Sequence, residues 1–218
     1  MHIELLLEEP SAEAFMRGFL PKLLAEGDTW NPVVFQGKSD LLGNLEMRLR
    51  GYSRWIPEDY RIVVLVDEDR ADCRKLKDRM EQAAIAAGFK SKTVAAGEPF
   101  IVLNRIAIEE LEAWFLGDPD ALARAYPGIP TSLGKQAKFR NPDAVSGGTW
   151  EALECLLQRA GYFKGGLSKI ELARTMAEYV DPARNRSASF RNFVTGVAAL
   201  RQSLPRIPNQ GDAIASEG

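Results

Sequence analysis

Between Arg61 and Cys73 the chain reads RIVVLVDEDRADC, and the first half of that stretch constrains the fold more than any other. Ile62 to Val66 are consecutive β-branched or apolar residues and read as a buried strand. Further apolar-rich strand candidates, Ile3–Leu7, Val33–Phe35 and Phe100–Ile108, alternate with segments whose apolar residues recur at helical spacing. Phe15, Phe19, Leu20, Leu23 and Leu24 mark the first such segment, with Ser11 as its expected N-cap. Leu41, Leu42, Leu45 and Leu49 mark the second, and Leu76, Met80, Ala83, Ala84 and Ala87 the third. Strand-helix alternation predicts an α/β fold with a mainly parallel, Rossmann-like sheet flanked by helices.

From about Asp118 the texture changes. YPGIP, RNPD, SGG and FKGG are turn chemistry, and they separate helical patterns at Glu151–Ala160, Lys169–Tyr179 and Phe190–Leu200. The expected organisation is an α/β core over residues 1–117, a mostly helical region over 118–206 packed on it, and a disordered tail over 207–218.

Charge is also uneven along the chain. Met1 to Pro127 carries 16 Lys/Arg against 22 Asp/Glu, and Gly128 to Arg206 carries 12 against 6. An acidic half beside a basic half suits a metal-bearing core next to an anion-binding surface, or two independently solvated surfaces. The overall charge of −2 gives no global attraction to nucleic acid. His2 is the only histidine, which excludes His-based triads and two-His metal sites. Cys73 and Cys155 lack metal-ligand spacing and suit a reducing cytoplasm. MHIELLLEEP lacks the basic start of a signal peptide, and no apolar run approaches membrane-spanning length. The expectation is a cytoplasmic protein with no membrane segment and an undetermined oligomeric state.

Ligands of an open parallel sheet bind beyond the carboxyl ends of its strands. Carboxylates cluster at those ends: Glu8 and Glu9 after the first strand, Asp67 and Asp69 after the third, Glu109, Glu110 and Glu112 after the fourth. In an extended chain Asp67 and Asp69 point the same way and Glu68 opposite. Glu8, Asp67, Asp69 and one later Glu are a donor set for one or two Mg²⁺ ions, which take oxygen ligands. Two ions about 4 Å apart activate a water and stabilise the leaving oxygen in phosphodiester chemistry. The competing reading is that Asp69 or Asp72 caps the following helix and the remaining acids are solvated.

LLLEEPSAEAF followed by VVLVDEDRADC resembles the Toprim domain of topoisomerases, primases and overcoming-lysogenization-defect nucleases. That resemblance implies Mg²⁺ (or Mn²⁺) held by a Glu after the first strand and an Asp-x-Asp pair after the third, here Glu8, Asp67 and Asp69. The family often has Gly where this chain has Glu9. More closely, EEPS at 8–11, GKSDLL at 37–42, VDEDRADCRKLK, RIAIEELEAWFLGD at 105–118 and NRSASF at 185–190 are similar to the bacterial family catalogued as domain of unknown function 4276. The likeness covers most of residues 1–200 and implies a phage-defence setting beside a partner ATPase.

The remaining candidates follow from that chemistry. Lys38 follows a turn glycine ahead of a helix and either holds a phosphate or is a surface lysine; the Walker A pattern is missing. Glu109 and Glu112 are expected on one helical face. Glu112 or Glu9 would supplement the metal shell, or the glutamates simply favour a helix N-terminus. Trp114 and Phe115 read as core. Arg70, Arg186 and Arg191 are candidate nucleic-acid contacts, with Ser187 or Ser189 as a helix cap in the competing reading. Lys164 and Lys169 flank a Gly-Gly turn and carry little weight. The leading expectation is a Mg²⁺-dependent phosphodiester-cleaving nuclease in which Lys38, Arg70 or Arg186 offsets charge on the phosphate. The alternatives are a non-catalytic adaptor of a partner protein and a nucleotide hydrolase or phosphotransferase.

Overall fold

The computed structural model describes residues 1–204; the expected disordered tail, 207–218, lies outside the described residues. Four strands, β1 (His2–Leu7), β2 (Thr29–Val34), β3 (Tyr60–Asp67) and β4 (Val102–Ala107), form one all-parallel sheet in the order β2-β1-β3-β4. Between them run α1 (Pro10–Phe19), α2 (Lys38–Tyr52), α3 (Cys73–Ala86) and the single turn α4 (Lys92–Ala95). After β4 come α5 (Glu112–Leu116), α6 (Pro119–Ala125), α7 (Thr149–Arg159), α8 (Lys169–Tyr179) and α9 (Ala188–Gln202), with short 3₁₀ turns between α6 and α7. No helix among the described residues is long and apolar enough to cross a membrane.

Because side chains alternate across a strand, the apolar runs feed two cores. Leu6, Ile62, Val64, Val66, Val102 and Ile106 meet Leu41, Leu45 and Leu49 of α2 and Leu76, Met80 and Ala84 of α3. Ile3, Leu5, Leu7, Val63, Leu65, Leu103 and Ala107 face the other way, into a larger core built with α1 and the C-terminal helices. Trp114 and Phe115 are fully buried there, as expected. The Trp114 indole donates to Ser189 Oγ at 2.9 Å, and its ring meets Phe15, Phe190 and Phe193. A buried indole N–H without that acceptor would be costly.

β2 begins four residues earlier than the apolar pattern indicates and contains Pro32, opposite Leu5. Proline lacks an N–H and is tolerated because β2 is an edge strand. The expected cap at Ser11 is displaced as well: α1 starts at Pro10 with Glu9 in the N-cap position, and the Ser11 hydroxyl donates to the Glu9 carboxylate. Proline at the first helical position costs nothing there, since that N–H has no intrahelical acceptor.

The C-terminal helices are anchored by polar contacts as well as by the core. An added Cβ at Gly18 of α1 would lie 2.8 Å from Ala177 Cβ of α8, so glycine sets how closely these helices pack. Ser187 accepts from Phe190 N and caps α9. Asn185 Nδ2 donates to Trp114 O at 2.7 Å, and Arg186 N to Gly117 O at 2.9 Å.

Candidate functional site at the carboxyl edge of the sheet

The register pairs Leu7 with Leu65 and Asp67 with Ala107, so β1, β3 and β4 end together. Glu8 leaves β1 at that edge, and its Oε2 accepts from Asp67 N at 3.0 Å. Burial pushes the Glu8 carboxyl up most strongly, and the Asp67 N–H and Lys38 pull against it, leaving it raised. Asp67 is raised well above the ordinary range, first by burial and then by Glu112, Glu8, Glu9 and Asp69 around it. Glu8 at the exit of β1 is tied to the Asp67 backbone, and Glu112, Glu9 and Asp69 act on the Asp67 carboxyl by their charge.

Glu112, first residue of α5, is the most buried acid of the group, with its side chain 2 % exposed. Its Oε2 has no hydrogen-bond partner among the described residues. Burial raises its carboxyl to about 7 although Lys169 opposes this. The Lys169 ammonium stands 3.9 Å from both Glu112 Oε1 and Glu9 Oε1, and 5.0 Å from the centre of the Trp150 ring. Lys169 opens α8, more than 150 residues after Glu9 in sequence.

Asp69 departs from the expected geometry. The chain leaves the extended conformation at once: Asp69 and Arg70 both take positive φ, 47° and 61°. Asp69 Oδ2 accepts from Lys38 Nζ at 2.8 Å, and the same ammonium donates to Glu68 O at 2.9 Å. Lys38 thus ties the start of α2 to the exit of β3 and faces a carboxylate of this chain. The helix cap belongs to Asp72, which accepts from Arg74 N and Lys75 N.

The helix expected from Glu109 likewise starts only at Glu112, because Glu109 has φ 62°. Glu109 and Glu112 therefore do not share a helical face. Glu109 N donates to Glu68 Oε2 at 3.1 Å, and Asp69 N to Glu109 O at 2.9 Å, so the exits of β3 and β4 brace one another. Glu110 caps α7, accepting from Thr149 Oγ1 and Trp150 N, both at 3.0 Å.

Of the candidate nucleic-acid contacts, exposed Arg70 lines a cleft beside the acids, with Asp69, Glu109, Glu110, Gly148 and Glu151. Arg186 donates to the carbonyls of Gly134 and Phe139, and Arg191 to those of Asn185 and Arg186. Both guanidinium groups brace the C-terminal loops. Among the described residues no group of three or more His, Cys, Asp or Glu side chains is gathered tightly enough to hold an ion as it stands.

Lys169 is the member of this site that sequence reasoning set aside. Its one local signal is a cation in the first turn of a helix, where the helix dipole disfavours positive charge. No curated protein and no solved structure matches the chain. The model of one family, described as Domain of unknown function (DUF4276), matches residues 7–198, and the chain belongs to that family.

Proposed function

We propose that this protein is a divalent-metal-dependent phosphodiesterase of Toprim type that cleaves nucleic acid at the carboxyl edge of its sheet. The observation that carries the reading is Glu112 Oε2, a buried carboxylate oxygen with no partner among the described residues, on a group whose charge acts on Asp67 together with Glu8, Glu9 and Asp69. The donors fit Mg²⁺ or Mn²⁺ in kind: all are carboxylate oxygens, and burial together with the neighbouring acids raises the Asp67 carboxyl. Glu8, Asp67 and Glu112 would hold the ion, with Asp69 and Glu9 beside them.

A bound ion supplies an activated water and neutralises charge on the phosphate. The chain's own groups do the rest. Glu8 fixes the backbone of Asp67, Lys38 fixes the turn that carries Asp69, and Arg70 presents a positive charge on the wall of the adjacent cleft. An Arg there positions a phosphate and offsets charge as the bond breaks.

The test is cleavage of plasmid and single-stranded DNA and RNA with Mg²⁺ or Mn²⁺, comparing wild type with Asp67→Ala/Asp69→Ala. Divalent-dependent cleavage lost in the variant supports the reading. Cleavage indifferent to the substitution, or its absence on every polymer, counts against it.

A second reading, a non-catalytic adaptor docked on a partner such as an ATPase, is favoured by one observation. Met47 and Trp55 are 68 % and 57 % exposed beside Phe35 and Tyr52, on a groove of about 420 Å³ along α2. Exposed apolar side chains gathered in one groove suit a protein contact. A partner would also supply the positive field that a net charge of −2 does not.

A further inference from the structure

We infer that Lys169 is an internal competitor of the divalent ion: its ammonium serves as counter-cation to Glu9 and Glu112, and an ion taken up by the acidic edge must displace it. This rests on the metal-dependent reading above and adds a residue that controls loading of the site.

Three observations carry it. The two lysines at this edge are held differently. Lys38 makes two direct hydrogen bonds at 2.8 and 2.9 Å, whereas Lys169 stands 3.9 Å from each of its two carboxylates, beyond hydrogen-bonding distance. Among the described residues Lys169 makes no hydrogen bond to these carboxylates; it is held by their charge and by the Trp150 ring, on a flexible four-carbon stem, and so can leave them without breaking a hydrogen bond.

Second, Glu112 Oε2 is buried and has no partner among the described residues, although Oε1 has a cation near it. Lys169 thus neutralises part of the charge at this edge without satisfying its most buried oxygen. An ion that binds both would replace the lysine with a better partner.

Third, the lysine is placed here against local preference. It is the first residue of α8, directly after the Ser168 cap, where the helix dipole opposes a cation. The close Gly18–Ala177 contact fixes α8 against α1 and brings Lys169 to Glu9, the residue at the N-cap position of α1. The Trp150 ring below it gives the ammonium a face to rest on that needs no carboxylate.

The test compares Mn²⁺ affinity by calorimetry for wild type, Lys169→Met and Lys169→Arg. Lys169→Met should bind Mn²⁺ on the order of tenfold more tightly, the effect of removing one adjacent and partly screened charge, while Lys169→Arg stays near wild type. In the wild type, acetylation by acetic anhydride is followed by mass spectrometry, with exposed Lys164 as internal reference. Mg²⁺ should raise labelling of Lys169 relative to Lys164 at least about twofold, an experiment that needs no variant to fold. Equal Mn²⁺ affinity in wild type and Lys169→Met, or labelling unmoved by Mg²⁺, overturns the competition while the metal site stands. Mn²⁺ binding by neither protein overturns the metal-dependent function and this inference with it.

Discussion

Glu8 reaches from the end of β1 to accept the backbone N–H of Asp67 at 3.0 Å, so one carboxylate both closes the gap between two strands and offers a free oxygen to the site. The two roles separate in Glu8→Gln. The amide carbonyl still accepts from Asp67 N, so unfolding free energy should fall by less than about 1 kcal/mol. Mn²⁺ affinity should drop by at least about tenfold, since even outer-shell changes cost that much. Thermal unfolding and calorimetry on the same sample check both.

Asp118 is a structural acid of the kind most easily mistaken for a functional one. Fully buried, it accepts from Ala121 N to cap α6, from Asp181 N at 3.0 Å, and from two nitrogens of Arg184 at 2.8 and 2.9 Å. Asp118→Ala strands all of these donors and should cost about 3 kcal/mol. Denaturant unfolding measures it, and Asp120→Ala, exposed at 50 %, is the control expected to change little.

Gly18→Ala gains helix propensity, worth about 1 kcal/mol, but drives a methyl into Ala177 Cβ. Overpacking costs about 1–3 kcal/mol, and the net should be destabilising. Adding Ala177→Gly returns the space, so the double variant should be more stable than the sum of the two single changes predicts. A double-mutant cycle by chemical denaturation reads that coupling.

Glu81 links stability to acid. Burial pushes its carboxyl up, but the Lys77 ammonium at 2.6 Å and the Ser91 hydroxyl outweigh it and hold the group below its ordinary value of 4.5. A carboxyl depressed in the folded state contributes stability that is fully present above the unfolded value and is lost as pH falls through the folded one. Burial lowers the Lys77 ammonium from its ordinary value, against the pull of Glu81. Glu81→Gln should therefore be less stable than wild type by about 2 kcal/mol at pH 7. The gap should close progressively below pH 4.5, as urea titrations from pH 3 to 7 would show.

The sheet was legible because its signal is local. Ile62–Val66 are buried on both faces, and burial of that kind leaves a continuous apolar run; Ile3–Leu7 is equally buried and is broken only by Glu4, which accepts from the Tyr52 hydroxyl. β2 was partly hidden because an edge strand tolerates Asn31 and Pro32, which locally signal a turn. Glu8, Glu9, Asp67 and Glu112 stood out as candidates for the same reason as the strands: each lies one or a few residues past an apolar run. Asp69 and Glu109 were not, because positive φ at a non-glycine residue is imposed by tertiary bonds such as Asp69 N to Glu109 O, and these leave no trace in side-chain type. Lys169 reaches the site through the packing of α8 on α1, and no spacing rule spans that distance.

The sheet face of Leu103 and Ala107 belongs to the same core as Phe193, Val197 and Leu200 of α9, and Gly196 lets that helix lie close enough for an added Cβ to meet Leu103 and Arg105. On the ribosome this order matters. At roughly 5–20 residues per second, the chain between the end of β4 and the start of α9 takes on the order of ten seconds to make. Throughout that interval the β4 end of this apolar face lacks the cover that Phe193, Val197 and Leu200 of α9 supply. A nascent chain of this design has a long window in which trigger-type chaperones, or other nascent chains, compete with its own last helix for the same surface.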